Sequence, residues 1–151
     1  MNAFDKRGIP DAITTLGIAG WELTPGENQA FRKALAEKFG TDHQSWRLWE
    51  DLAQRSTMAV WMQDRDGWLA YDEFLTTEPV FLLVDDSNEP FGFALASGRS
   101  VVPILSGTSH FEFAVTNAQL DYVVCFNSYD FLIACGTATE WLLARIAKNG
   151  P

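Results

Sequence analysis

The chain is poor in the residues that most often carry chemistry, with two cysteines and two histidines among its 151 residues. Two cysteines do not make a disulfide framework. Two histidines set far apart, His43 and His110, are too few for a zinc site of the usual kind. Basic residues are also scarce: 11 against 20 acidic ones, for a net charge of −9. A chain of that sign repels phosphate, so direct nucleic-acid binding is not expected. No apolar run approaches the roughly 18–20 residues that span a bilayer, so no membrane segment is expected. The opening stretch "MNAFDKRGIPDAITTLGIAG" is charged early and interrupted by Pro10 and Asp11, and it does not read as a signal peptide. The expected compartment is the cytoplasm.

What is present is apolar and aromatic. A 47% hydrophobic fraction with 11 Phe, 6 Trp and 3 Tyr supports a sizeable core in one ordinary domain, residues 1–151. The charge is unevenly placed. Residues 1–63 and 91–151 each carry a net −1, whereas residues 64–90 carry −7. In that block Asp64, Asp66, Asp72, Glu73, Glu78, Asp85, Asp86 and Glu89 face only Arg65. Such a segment favours solubility, or a cationic partner.

The first half reads as helical. A short helix is expected around residues 10–19. In "LTPGENQAFRKALAEKFG", Thr24 caps, Pro25 fits the first helical position and Glu27 completes a capping box. Phe31, Ala34, Leu35 and Phe39 then form an apolar stripe, and Gly40 supplies the stop. "TDHQSWRLWEDLAQRS" repeats the plan, with Trp46, Trp49, Leu52 and Ala53 on one face. Asp66-Gly67 marks a turn, and Trp68 to Leu75 reads as a short helix. After Pro79 the period changes. "VFLLVDD" is a buried strand ended by "SNEP", "FGFALA" is the next strand, and Ser100 is placed to cap a helix through Leu105. "FEFAVTN" alternates as a strand, and "TATEWLLARIAK" closes the chain as an amphipathic helix. The fold class expected is α+β, with N-terminal helices packed on a predominantly antiparallel sheet and a C-terminal helix.

"DYVVCFNSYDFLIACG" gathers two cysteines, an asparagine, a serine and an aspartate, and so resembles a catalytic centre at first sight. Asn, Ser and Asp favour turns, however, because their short side chains hydrogen-bond the local backbone. "YVVCF" and "FLIAC" are β-prone, which makes this a hairpin, apolar on both faces and central in its sheet. With Ser128-Tyr129 at the tip, Phe126 pairs with Phe131 and Cys125 with Leu132, which puts the two cysteines on opposite faces. A thiol in a dry strand has a raised pKa and is a poor nucleophile.

Other patterns fall short of a site. "QDRDGWLAYDE" matches the calcium-loop pattern at Asp64, Asp66, Gly67 and Glu73, but Met62 stands where the first carboxylate belongs. An Asp-Gly turn is the simpler reading. Asp85-Asp86, at a strand end before a turn, is expected to be solvated. Gly92 and Gly98 form no dinucleotide fingerprint, and "SGTSH" lacks a phosphate-loop lysine. Trp46, Trp49 and Trp141 fall on helical apolar faces and read as core. No metal, cofactor or catalytic constellation is expected.

The order of "WRLWEDL", "DGWLAYDEFL", "VFLLVDD" and "FEFAVTNAQLDYVVCFNSYDFLIACG" resembles a family of small bacterial proteins of uncharacterised function. That family places an asparagine-led, often histidine-containing turn in its last segment; here Asn127 is kept, while Ser128 and Tyr129 stand in the histidine positions. In size and character the chain is also similar to immunity proteins of bacterial toxin systems, including the SUKH-type group. The resemblance implies a non-catalytic binding protein that neutralises a cognate toxin through an acidic surface meeting a basic active-site face. The residues expected to make that contact are Asp64, Asp66, Trp68, Asp72, Asp85, Asp86 and Glu89. The alternative is a ligand-binding or enzymatic domain with a small-molecule pocket lined by Trp and Tyr.

Overall fold

Among the described residues, seven strands, each antiparallel to its neighbours, make one sheet in the order β1-β4-β3-β5-β6-β7-β2. They are β1 (Gly20–Glu22), β2 (Val60–Gln63), β3 (Val80–Asp85), β4 (Phe91–Leu95), β5 (Glu112–Thr116), β6 (Tyr122–Phe126) and β7 (Phe131–Gly136). The helices are α1 (Ile9–Leu16), α2 (Pro25–Lys38), α3 (Tyr71–Phe74), α4 (Val101–Ser106) and α5 (Ala138–Asn149). This computed structural model describes residues 5–39, 48–50, 59–86, 89–108 and 111–149. The architecture is α+β, as the change of period after Pro79 predicts.

The central strands are buried along their length, so alternate residues feed two separate cores. One face carries Leu82, Val84, Phe93, Phe113, Val115, Val124, Phe126 and Leu132, packed with Ile9 of α1, Tyr71 of α3, Val101 and Ile104 of α4 and Leu142 of α5. The other face carries Leu83, Ala94, Ala114, Val123, Cys125, Ile133 and Cys135, packed with Leu35 of α2 and with Leu48 and Trp49. Tyr71 is fully buried, and its hydroxyl donates to the Val124 carbonyl at 2.9 Å.

Helix α2 begins as its sequence dictates. The Glu27 amide donates to Thr24 Oγ1 at 3.1 Å, the Thr24 amide donates to Glu27 Oε1 at 2.9 Å, and Pro25 opens the first turn. The cap of α4 differs from expectation. Ser100 makes no side-chain cap; Ser97 accepts from the Arg99 amide at 3.1 Å and so starts the preceding short 3-10 turn. The second tryptophan-rich helix, Trp46, the Gly40 stop and most of residues 41–58 lie outside the described residues. Within it, Leu48 and Trp49 are helical and buried.

The β6–β7 hairpin is a correction. Phe126 pairs with Leu132, Cys125 with Ile133 and Val123 with Cys135, one residue off the expected register. Both cysteines therefore lie on the α2 face, on adjacent strands but not opposite each other. The turn is longer because the Asp130 amide donates to the Asn127 carbonyl at 3.1 Å and Asp130 itself takes a left-handed φ of 65°. That is a type I turn followed by a left-handed bulge residue. Asn127 holds it by accepting from the amides of Tyr129 and Phe131, each at 3.0 Å. The β5–β6 turn is built the same way: Asn117 leads, its carbonyl accepts from Leu120 at 3.1 Å, and Leu120 has φ 57°.

Gly136 closes the opposite end of β7 at φ +72°, where an added Cβ would lie 2.2 Å from the Asp121 carbonyl oxygen. Gly136→Ala is expected to cost more than about 2 kcal/mol, since it adds that clash to the left-handed penalty of a Cβ. Asp130→Gly, at an open turn position, is expected to be neutral or stabilising by up to about 1 kcal/mol. Urea midpoints at unchanged slope would check both signs.

Candidate functional site

Because every neighbour is antiparallel, β1, β3, β6 and β2 all finish at the same end of the sheet, where β4, β5 and β7 begin. The last shared row runs Met62, Leu132, Phe126, Phe113, Val84, Phe91 across six strands. Just beyond it emerge Asp85, Asp86, Glu89, Glu112, the Asn127–Asp130 turn and Asp64, while Glu22 ends β1 opposite Phe93, two rows short of it. The two halves of the acidic segment, 64–66 and 85–89, thus share one end of the sheet. They stand four strand spacings apart, or about 19 Å.

Asp64 is fixed from two sides. Its Oδ1 accepts from the Asp66 amide at 3.0 Å, and its Oδ2 accepts from Arg145 of α5 at 2.8 Å. Arg145 also binds Glu73. The Arg145 hydrogen bond holds the Asp64 carboxyl below its usual range. Gly67 then lies flat on the last row of the sheet, its Cβ position 2.9 Å from Phe126 and 3.0 Å from Leu132. This is an Asp-led turn whose Asp64 carboxylate is already engaged by protein donors at both oxygens. Asp66 is exposed, and Trp68 is half-buried against the core. Asp72 stands apart from the row. Its carbonyl accepts from Arg99, which follows the opposite end of β4, at 2.9 Å.

Asp85 overturns its expected position. It is 4% exposed rather than solvated, so it does not meet a partner directly. Asn28, Arg32 and Leu35 project from α2 on one stripe, and all three are buried. Arg32 donates to Asp85 Oδ1 at 2.6 Å, to the Val84 carbonyl at 2.7 Å and to Asn28 Oδ1 at 3.2 Å. The Leu48 amide donates to Asp85 Oδ2 at 3.0 Å. Directly opposite on β5 lies buried Glu112, whose Oε2 accepts from the Ser128 amide at 2.9 Å. Burial pushes the Asp85 carboxyl up to about 6 against the pull of Arg32. Burial also pushes the Cys125 thiol up, which leaves it a poor nucleophile.

Asp86 pairs with Arg7 at 3.2 Å, and Glu22 pairs with Lys6 at 2.7 Å. Glu89 is exposed. Between the two acidic groups Tyr129 stands 64% exposed at the turn tip, edge-on to buried Trp49 at 6.4 Å. Tyr129 and Glu112 carry no local sequence signal of their roles. Asn28, Arg32 and Leu35 do, through their helical spacing of four and three.

Two hollows lie among the described residues at opposite ends of the sheet. One, of about 170 Å³, opens beside Trp68 at the acidic end and is walled by Phe111, Phe113 and Phe126. The other, of about 240 Å³, lies at the opposite end by Glu78 and Asp121. There the Asn117 amide nitrogen donates to Glu78 Oε1 at 3.2 Å and to Asp121 Oδ2 at 2.8 Å. Burial, with these two carboxylates, pushes the Tyr122 hydroxyl upward, so it stays protonated. No group of three or more metal-ligating side chains occurs among the described residues. None of the described helices is long and apolar enough to cross a membrane. The comparisons return no matching protein-family model, curated protein or solved structure.

Removing one member of the buried pair leaves its partner's polar groups unmatched, so Arg32→Met and Asp85→Leu are each expected to cost about 3–5 kcal/mol. Arg32→Met with Asp85→Leu is expected to cost less than the two single changes together, as read by a double-mutant cycle of denaturation energies. Asp85 binds its proton more tightly folded than at the ordinary 3.8. Its own contribution to stability therefore rises as pH falls from about 6 toward 4. That local rise should be missing in Asp85→Asn when stability is followed across the same window.

Proposed function

We propose that the chain is a non-catalytic binding protein of the immunity type, which neutralises a cognate toxin by covering a basic face of it. The observation that carries this reading is that the first and last parts of the acidic segment, 64–66 and 85–89, share one end of the sheet, about 19 Å apart on either side of the β6–β7 turn. The contact residues assigned are Asp66 and Glu89, both exposed, with Asp64 and Asp86 beside them, Trp68 at the margin and Tyr129 between. Exposed carboxylates steer a cationic partner into encounter, and an exposed tyrosine ring supplies contact area once it arrives. Asp85 and Asp72 are left out of the surface, the first because it is buried and the second because it stands apart from the row, beside Arg99 beyond the opposite end of β4. A rigid double-cored sheet presenting turns at one end suits a stoichiometric binder, because little ordering cost remains to be met on association.

A second reading is favoured by the hollow beside Trp68. Its 170 Å³ is close to the size that holds a single aromatic ring. Saturable amide shifts at Trp68, Phe111 and Phe113 on titration with phenol, without any protein partner, would favour that reading.

Capture of partners from the native bacterium at low and high salt is the test of the binding reading. The expected outcome is one basic protein, toxic alone and tolerated in the presence of this chain. Asp66→Lys with Glu89→Lys is expected to slow association at least about tenfold at low salt, while Glu78→Lys at the opposite end changes it little. Equal effects at the two ends would contradict it.

A further inference from the structure

Lys6, Arg7 and Gly8 are three successive residues in the left-handed region, with φ of 52°, 63° and 80°. Gly8 takes that conformation freely, whereas Lys6 and Arg7 do so against their Cβ atoms. Strain of this kind persists only where other contacts hold it. Three of those contacts are at the acidic end of the sheet. Lys6 Nζ lies 2.7 Å from Glu22 at the end of β1 and 5.2 Å from the ring centre of Phe91 at the start of β4. Arg7 lies 3.2 Å from Asp86, just past β3. β1, β4 and β3 are consecutive in the sheet, so the two cations are laid across three neighbouring strand ends.

We infer that Glu22, Phe91 and Asp86 form a receptor surface for a pair of adjacent cationic side chains, and that the chain's own Lys6-Arg7 segment occupies it as a displaceable strap. The chemistry is complementary in kind. A carboxylate and an aromatic face receive one cation, and a second carboxylate receives the next. The two partly exposed ion pairs of the strap are individually weak, and its backbone opposes the docked form. A basic segment that reaches the same groups without left-handed backbone would replace it. This inference rests on the proposed binding function and names its partner chemistry: an exposed stretch carrying neighbouring Lys or Arg residues.

The test uses the whole chain and a short synthetic peptide rich in Lys and Arg, titrated at low salt and followed by amide shifts at Glu22, Asp86 and Phe91. Lys6→Ala with Arg7→Ala is expected to strengthen peptide binding about threefold to tenfold, the combined weight of two weak pairs. Adding Glu22→Gln and Asp86→Asn to that variant is expected to abolish the gain while the amide spectrum stays folded. A Lys6→Ala, Arg7→Ala variant that binds no better than the parent overturns the strap. Peptide binding that leaves Glu22, Asp86 and Phe91 unshifted overturns the receptor surface. If these residues bind the peptide and the captured toxin protects a different surface, the strap stands and the immunity reading fails.

Discussion

The Asp85 carboxylate, held between the Arg32 guanidinium and the Leu48 amide, is the contact on which the arrangement of this protein turns. Apolar burial supplies most of the driving force, but it is non-directional and would accept α2 at several rotations over the sheet. The Arg32 fork is directional. It meets Asp85, the Val84 carbonyl and Asn28 at once, which fixes the roll of α2 and its height over β3. Asp85 also faces Glu112 across the β3–β5 pair. Two like charges in that position repel, and the Arg32 charge with the Leu48 and Ser128 amides offsets the repulsion. One ion pair therefore links α2, the helical residues 48–50, two central strands and the β6–β7 turn.

The same pair alters the electrostatics. A −7 segment in sequence is not a −7 surface in space. Arg145 meets Asp64 and Glu73, Arg7 meets Asp86, and Arg32 meets Asp85. Each of these arginines comes from outside the acidic segment. What remains facing solvent at that end is sparser, centred on Asp66 and Glu89 with Tyr129 between them. A surface of few charges around an exposed ring suits recognition better than a uniform acidic field, which would attract any basic protein.

Much of the fold was legible because its signals are local. The Thr24–Glu27 box, the change of period after Pro79 and the Asp66-Gly67 turn each depend on residues within a few positions, and each forms where expected. The hairpin register was not legible to one residue, since it depends on whether Asp130 turns left-handed, and Asp tolerates either choice. β1 escaped notice because Gly20–Glu22 is short and pairs with β4, more than seventy positions on. The place of Asp85 was hidden for the same reason. A strand-end carboxylate is solvated unless something distant covers it, and Arg32 lies 53 residues away. At the site, the acidic residues were visible as a list, and which of them face solvent is a property of the pairing.

Hydrogen exchange of the chain with and without its captured partner tests the central claim most directly. The account predicts protection confined to the acidic end, at residues 22–23, 64–68, 86, 89–91 and 127–131, with residues 76–78 and 117–121 at the opposite end unchanged. Protection centred on the opposite end, or on the exposed faces of α2 or α5, would contradict it.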